Sequence, residues 1–86
     1  MRVSYLPAAE KQMARFGTPV QRRIKRYMTT IAALDDPRSR GKALKGNLSD
    51  FWCYRVGDYR VICKIVDDEL VITVVKVGHR SDVYDR

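Results

Sequence analysis

The spacing of apolar residues changes twice along the chain. "RVSYL" (2–6) alternates Val3 and Tyr5 against Arg2 and Ser4, the two-residue rhythm of a short strand. After Pro7 the rhythm lengthens, and Ala9, Met13 and Phe16 fall on one face of a helix that stops at Gly17. No Ser, Thr, Asp or Asn directly precedes Pro7, so this helix has a weak cap. Thr18-Pro19 supply an N-cap and first residue for a second helix. Its Val20, Ile24, Tyr27, Ile31 and Leu34 form an unbroken core stripe, and Asp35-Asp36-Pro37 ends it. A Gly-Thr turn between the two makes them an antiparallel hairpin.

The two-residue rhythm then returns. "FWCYRV" (51–56) and "YRVICKIV" (59–66) flank Gly57-Asp58, and "LVITVVKV" (70–77) follows Asp67-Asp68-Glu69. Between helices and strands, "PRSRGKALKGNLSD" (37–50) reads as a basic, glycine-containing connection. The element order is βααβββ. It predicts one α+β domain over residues 1–86, a helical hairpin covering one face of a small, mostly antiparallel four-stranded sheet.

A two-residue turn with Gly first suits type II′, which fixes the register of the hairpin. Val56 then faces Tyr59, Arg55 faces Arg60, Tyr54 faces Val61 and Cys53 faces Ile62. Phe51, Cys53, Arg55, Arg60, Ile62 and Lys64 share one face of the sheet. Trp52, Tyr54, Val61, Cys63 and Ile65 share the other, which is the better face to pack against helices. Cys53 and Cys63 therefore point apart and do not suit a disulfide. Arg55 and Arg60 are directly opposed like charges, which costs stability unless an anion relieves it. A phosphate between two guanidinium forks would do so. The plainer reading is that both arginines splay into water or pair with Asp58 or Asp82.

Charge strengthens the case for a polyanionic partner. The net charge is +7, and residues 1–66 carry 14 basic against 5 acidic side chains. A small, strongly basic domain points first to nucleic acid and second to an acidic protein. Lys42 and Lys45 in the connection, with Lys64 on the same face of the sheet as Arg60, are candidate RNA-binding residues that would extend a phosphate site built on the hairpin. Arg22, Arg23, Lys25 and Arg26 on the second helix are less specific, since such a run usually marks a solvated face. No stretch nears the ~18 apolar residues of a membrane span. The N-terminal residues lack a signal peptide's apolar core, so a soluble, cytoplasmic protein is expected. Two cysteines give neither a zinc site nor a disulfide framework and fit a reducing compartment.

Candidate chemistry gathers at "VGHRSDVYDR" (77–86), where His79, Arg80 and Tyr84 follow the last strand. Histidine can move a proton near neutrality, arginine can stabilise a pentavalent phosphate, and tyrosine can orient a phosphate or stack on a base. With no acidic metal site, no glycine-rich phosphate loop and no Cys/His metal spacing, no cofactor is expected and any reaction is expected to be metal-free. RNA cleavage by its own 2′-OH fits, because the substrate then supplies the nucleophile.

The segments "KALKGNLSDFWCYRVGDYRVICKI" and "VVKVGHRSDVY" resemble the RelE/ParE superfamily of bacterial toxins, most closely its RelE branch, over essentially the whole chain. The resemblance implies a RelE-like fold and a ribosome-dependent endoribonuclease that cuts mRNA in the A site through a 2′,3′-cyclic phosphate, without metal. It also implies a cognate RelB-like antitoxin that neutralises the toxin and, in complex with it, binds operator DNA. By that likeness Arg60 takes the phosphate-stabilising role and Arg55 that of a base or electrostatic stabiliser. Arg80 would act on the leaving group, Tyr84 would orient the nucleotide, and His79 is the leading proton-transfer candidate. The branch often has a second basic residue two before Arg55, and here Cys53 stands there. The superfamily also contains ParE-like toxins that inhibit DNA gyrase by binding, without nuclease chemistry, and this is the alternative.

Overall fold

A computed structural model of the chain describes residues 1–45 and 50–80. In chain order they form β1 (Arg2–Tyr5), α1 (Pro7–Met13), α2 (Thr18–Ala32), β2 (Lys42–Ala43), β3 (Trp52–Val56), β4 (Tyr59–Val66) and β5 (Val71–His79). Short 3-10 turns at Pro37–Ser39 and Asp67–Glu69 shape two of the connections. The architecture is α+β, with both helices packed on one mostly antiparallel sheet. No helix among the described residues is long and apolar enough to cross a membrane.

Among the described residues the sheet has five strands rather than four, in the order β1-β5-β4-β3-β2. The added strand, β2, is Lys42–Ala43, paired antiparallel with Cys53 and Trp52. Two residues are too few to show a period, so the sequence pattern presents this stretch as connection. β1 pairs in parallel with the first half of β5, and every other neighbouring pair is antiparallel.

The start of α1 matches the weak capping of its sequence, whereas α2 lacks the side-chain cap expected at Thr18. Leu6 caps α1 and Gly17 caps α2, neither with a side-chain hydrogen bond. Thr18 is the first residue of α2 rather than its cap, one position inside the expected boundary. Packing therefore supplies what capping does not. Ile24 and Ile31 of the expected stripe are fully buried, joined by Met28, while Val20, Tyr27 and Leu34 are partly buried against the same core. Met13 and Ala9 of α1 complete the helical layer.

Beneath it lie Tyr54 and Val56 of β3, Val61 and Cys63 of β4, and Ile72, Val74 and Val77 of β5. The step from Val74 to Val77 breaks strict alternation. A bulge between the Ile62 and Cys63 pairs, where Ile62 faces Lys76 and Cys63 faces Val74, inserts Val75 as an extra residue. Val75 consequently joins Cys53 and Ile62 on the opposite face, in a small second cluster with Leu44 and Phe51. The two cysteines are buried in different clusters and form no disulfide with each other.

Tyr54 is fully buried and its hydroxyl donates to Pro37 O at 2.7 Å. Trp52 Nε1 donates to Arg40 O at 2.6 Å, and Arg38 makes a bidentate ion pair with Asp67 at 2.9 and 3.0 Å. Asp36 accepts from Arg38 N through its side chain. These bonds fix the 36–43 connection against the β3 edge and the β4–β5 turn.

Burial holds Tyr5 at a pKa of about 12, and raises those of Tyr54 and Cys63 further above their ordinary values. All three favour the protonated form in the folded state, so their contribution is complete below about pH 9 and is lost as pH rises. Alkaline titration should therefore unfold the protein cooperatively above pH ~10, with Tyr5 and Tyr54 ionising only as circular dichroism is lost. Tyrosinate absorbance that fully develops before any loss of structure would contradict this packing.

Candidate phosphate-binding site

The site is built on the β3–β4 hairpin. Gly57 has φ +59°, and no other positive φ occurs in the turn, as type II′ requires. The pairing follows: Val56 with Tyr59, Arg55 with Arg60, Tyr54 with Val61, and Cys53 with Ile62. The core anchors this register, because Tyr54 and Val61 both face the helices and a one-residue slip would turn the arginines inward.

Arg55 is exposed, whereas Arg60 on central β4 is only 9% exposed. On β5 its partner is Gly78, which has no side chain to compete for the space beside the Arg60 stem. β5 runs to His79, beyond the expected 70–77, so Gly78 sits within it. Burying a guanidinium is costly unless acceptors or an anion face it. Arg55, Arg60, Lys42, Cys53, Gly41 and Tyr27 line one cleft of about 250 Å³. Gly41 (φ +79°) permits the close approach of the connection. A Cβ there would meet Cys53 O and Trp52 Nε1, both at 2.6 Å.

The remaining sequence candidates distribute unevenly. Lys42 is at the cleft, and Lys45 is exposed just beyond β2. Lys64 is exposed on the same face as Arg60, four residues along β4 and therefore about 13 Å away. It can extend a basic track but cannot share Arg60's phosphate. Arg80 is exposed, and its backbone N–H donates to Asp58 O at 2.7 Å, which ties the end of β5 to the hairpin turn. Tyr84 lies outside the described residues.

His79 does not join the arginines. It pairs with Tyr59 across β4–β5, and both side chains are on the helix face. The imidazole meets the Tyr59 ring edge-on at 5.7 Å, and Tyr59 meets Phe16 at 4.7 Å. Histidine here borders a different groove, with Arg15 and Lys76, along the part of β5 that β1 leaves uncovered. Gln12 closes that edge by accepting from Val77 N at 2.7 Å. Strand parity separates His79 from Arg60, and proximity in sequence to Arg80 does not offset it.

Two lining residues escaped the sequence reading. Tyr27 belongs to the core stripe of α2 yet reaches the cleft because β2 covers only the first half of β3. Gly41 carried no signal beyond its place between Arg40 and Lys42. Among the described residues, no three His, Cys, Asp or Glu side chains cluster as metal ligands. The cleft's own chemistry, two guanidinium groups and an ammonium, suits an anion, and phosphate best.

A family model described as the ParE toxin of the type II toxin-antitoxin system, parDE, matches residues 3–84. The chain belongs to this family. It is 29% identical over 82 residues to the mRNA interferase toxin RelE of Escherichia coli strain K12, covering 88% of this chain and 81% of RelE. It is 33% identical over 51 residues to toxin RelG of Mycobacterium tuberculosis, a match spanning 59% of each protein. The toxin-antitoxin complex RelBE2 of M. tuberculosis superposes with a TM-score of 0.83 at 21% identity, covering 94% of this chain and 92% of the matched one. Isolated E. coli RelE superposes at 0.72 and 22%, covering 95% and 88%. These structural matches establish the shared RelE fold. The protein is a type II toxin of the RelE/ParE superfamily, close to RelE.

Arg55 and Arg60 are directly opposed across the hairpin, which gives a sign to test. Arg55→Gln should raise stability in low salt by about 0.2–1 kcal/mol, and the gain should shrink as salt screens the pair. Urea midpoints at two ionic strengths measure this. A loss of stability independent of salt would mean that the two charges do not oppose one another.

Proposed function

We propose that this toxin is an endoribonuclease that cuts mRNA on the ribosome, and that the cleft at Arg55 and Arg60 holds the scissile phosphate. The observation that carries the proposal is the opposed arginine pair, one half-open to solvent and one buried, with Lys42 beside it. The mRNA interferase name of E. coli RelE supports it.

In this reading the 2′-oxygen of the substrate attacks the adjacent phosphorus while the 5′-oxygen leaves. The products are a 2′,3′-cyclic phosphate and a 5′-hydroxyl, with one proton lost from the 2′-OH and one gained by the leaving oxygen. Arg60 and Arg55 stabilise the charge that accumulates on the non-bridging oxygens, and Lys42 draws the strand into the cleft. These cations neutralise phosphate without requiring a bound metal. Arg80, held at the hairpin turn, is the candidate to assist the leaving oxygen, and Tyr84 to orient the nucleotide. His79, on the helix face, is not assigned the proton transfer. A cleft dominated by cations fits an enzyme whose partner, the ribosome, aligns the mRNA for in-line attack. A cognate antitoxin completes the system, as in the RelB–RelE complexes among the structural neighbours.

A second reading has one observation in its favour: Cys53 lines the cleft where a further cation would strengthen phosphate binding. It makes the protein a gyrase inhibitor like the ParE toxins for which the matching family model is named. Programmed ribosomes separate the two readings. Wild-type protein should cut mRNA in the A-site codon, and Arg60→Ala should lower the rate on the order of 10²–10³-fold. Arg60→Lys should retain more activity than Arg60→Ala at comparable stability. Intact mRNA together with stalled gyrase cleavage complexes would transfer the assignment to gyrase.

A further inference from the structure

The second helix carries arginines that the cleft at Arg60 does not use. Arg23, Arg26 and Thr30 follow one another turn by turn along α2 and line a second cleft of about 300 Å³. Arg55, Val56 and Gly57 of the hairpin form its far wall. Arg55 and Tyr27 line both clefts, so the two meet at the part of β3 that β2 leaves uncovered. The contact is close: a Cβ on Gly57 would stand 2.9 Å from Arg23 Nη1. Among the described residues, Arg23, Arg26 and Arg55 meet no carboxylate at ion-pair distance.

We propose that this second cleft continues the RNA site. The strand whose phosphate sits at Arg55 and Arg60 crosses the β3 edge over Tyr27 and places its neighbouring phosphates on Arg23 and Arg26. The proposal rests on the RNA-cleaving reading above. Guanidinium forks match phosphate oxygens, and a half-buried tyrosine between two cationic clefts suits the stacking that single strands use. The path turns from the sheet face to the helix side around a strand edge. A single strand can follow that corner and a stiff duplex cannot. The helix arginines thereby acquire a role that their sequence pattern, an ordinary solvated face, does not disclose.

The test uses labelled, non-cleavable 2′-O-methyl oligoribonucleotides, a trinucleotide and an octanucleotide, with binding read by fluorescence anisotropy over a salt series. Wild-type protein should bind the longer strand more tightly. Arg23→Gln/Arg26→Gln should lose most of that length gain, on the order of tenfold, and its salt slope should fall by about 1.4, which is 0.7 for each of two phosphates. Arg23→Lys/Arg26→Lys should recover the slope. Arg2→Gln/Lys11→Gln removes the same charge from exposed positions elsewhere and should keep both length gain and slope. On programmed ribosomes the Arg23→Gln/Arg26→Gln protein should show a raised KM with kcat largely held. Circular dichroism confirms that each variant is folded.

Equal weakening by the two Gln pairs would overturn the proposal, reducing the effect to net charge. So would oligonucleotide binding that ignores Arg23 and Arg26 while an acidic protein partner depends on them. Cleavage by wild type with no dependence on the second cleft would sink this inference and leave the nuclease reading standing. Length-dependent binding through Arg23 and Arg26 without any cleavage would do the reverse.

Discussion

The direct opposition of Arg55 and Arg60 is the constraint on which the rest of the structure depends. Like charges at this spacing work against the hairpin that carries them. The hairpin tolerates them because the residues next to them, Tyr54, Val56 and Val61, bury their side chains on the other face. Burial of side chains of this size is worth ~1.5–3 kcal/mol each, so the apolar face outweighs the repulsion on the charged one. Register and charge are thereby coupled: the packing that makes the fold stable is also what holds two cations together. Across β4–β5 the buried Arg60 stands opposite Gly78, which places no side chain beside it.

The cleft also needs a wall, and the 36–43 connection provides one. A loop carrying Lys42 would sample many positions if it were free, and ordering it would consume binding energy. Here Tyr54 and Trp52 each hold a carbonyl of the connection by a hydrogen bond, and Gly41 allows the backbone to lie against β3. Both aromatic residues sit on the packed face, next to Cys53 and Arg55 on the cationic one. The same short strand thus orders the wall and supplies the charge, which preorganises the site before any ligand arrives.

How much of this was legible in the sequence depended on the length of the signal. The five-residue stripe of α2 and the Gly-Asp turn gave the main helix and the hairpin pairing to the residue. The exchange between strands over the cysteines followed by parity alone. What escaped was local or relational. A two-residue strand has no period, and a bulge within a run of valines and one lysine leaves the apolar pattern unchanged while shifting every later side chain. His79 falls on the other face for a related reason. Its nearness to Arg80 in sequence suggested a shared site, but a residue's face is set by its partner across the sheet, and that partner is Tyr59.

The separation of His79 from the arginines bears on how such a site could work. A self-sufficient ribonuclease needs a base and an acid within hydrogen-bond reach of the 2′-oxygen and 5′-oxygen. Among the described residues, the cleft offers charge neutralisation in abundance and no histidine. Guanidinium and ammonium groups lower the cost of a dianionic phosphorane wherever the phosphate is presented in line, but they do not align it. Activity should therefore depend on whatever holds the RNA taut. With alignment left to the ribosome, a cationic surface adjoining the cleft, such as the arginine side of α2, adds grip on the strand rather than in-line geometry.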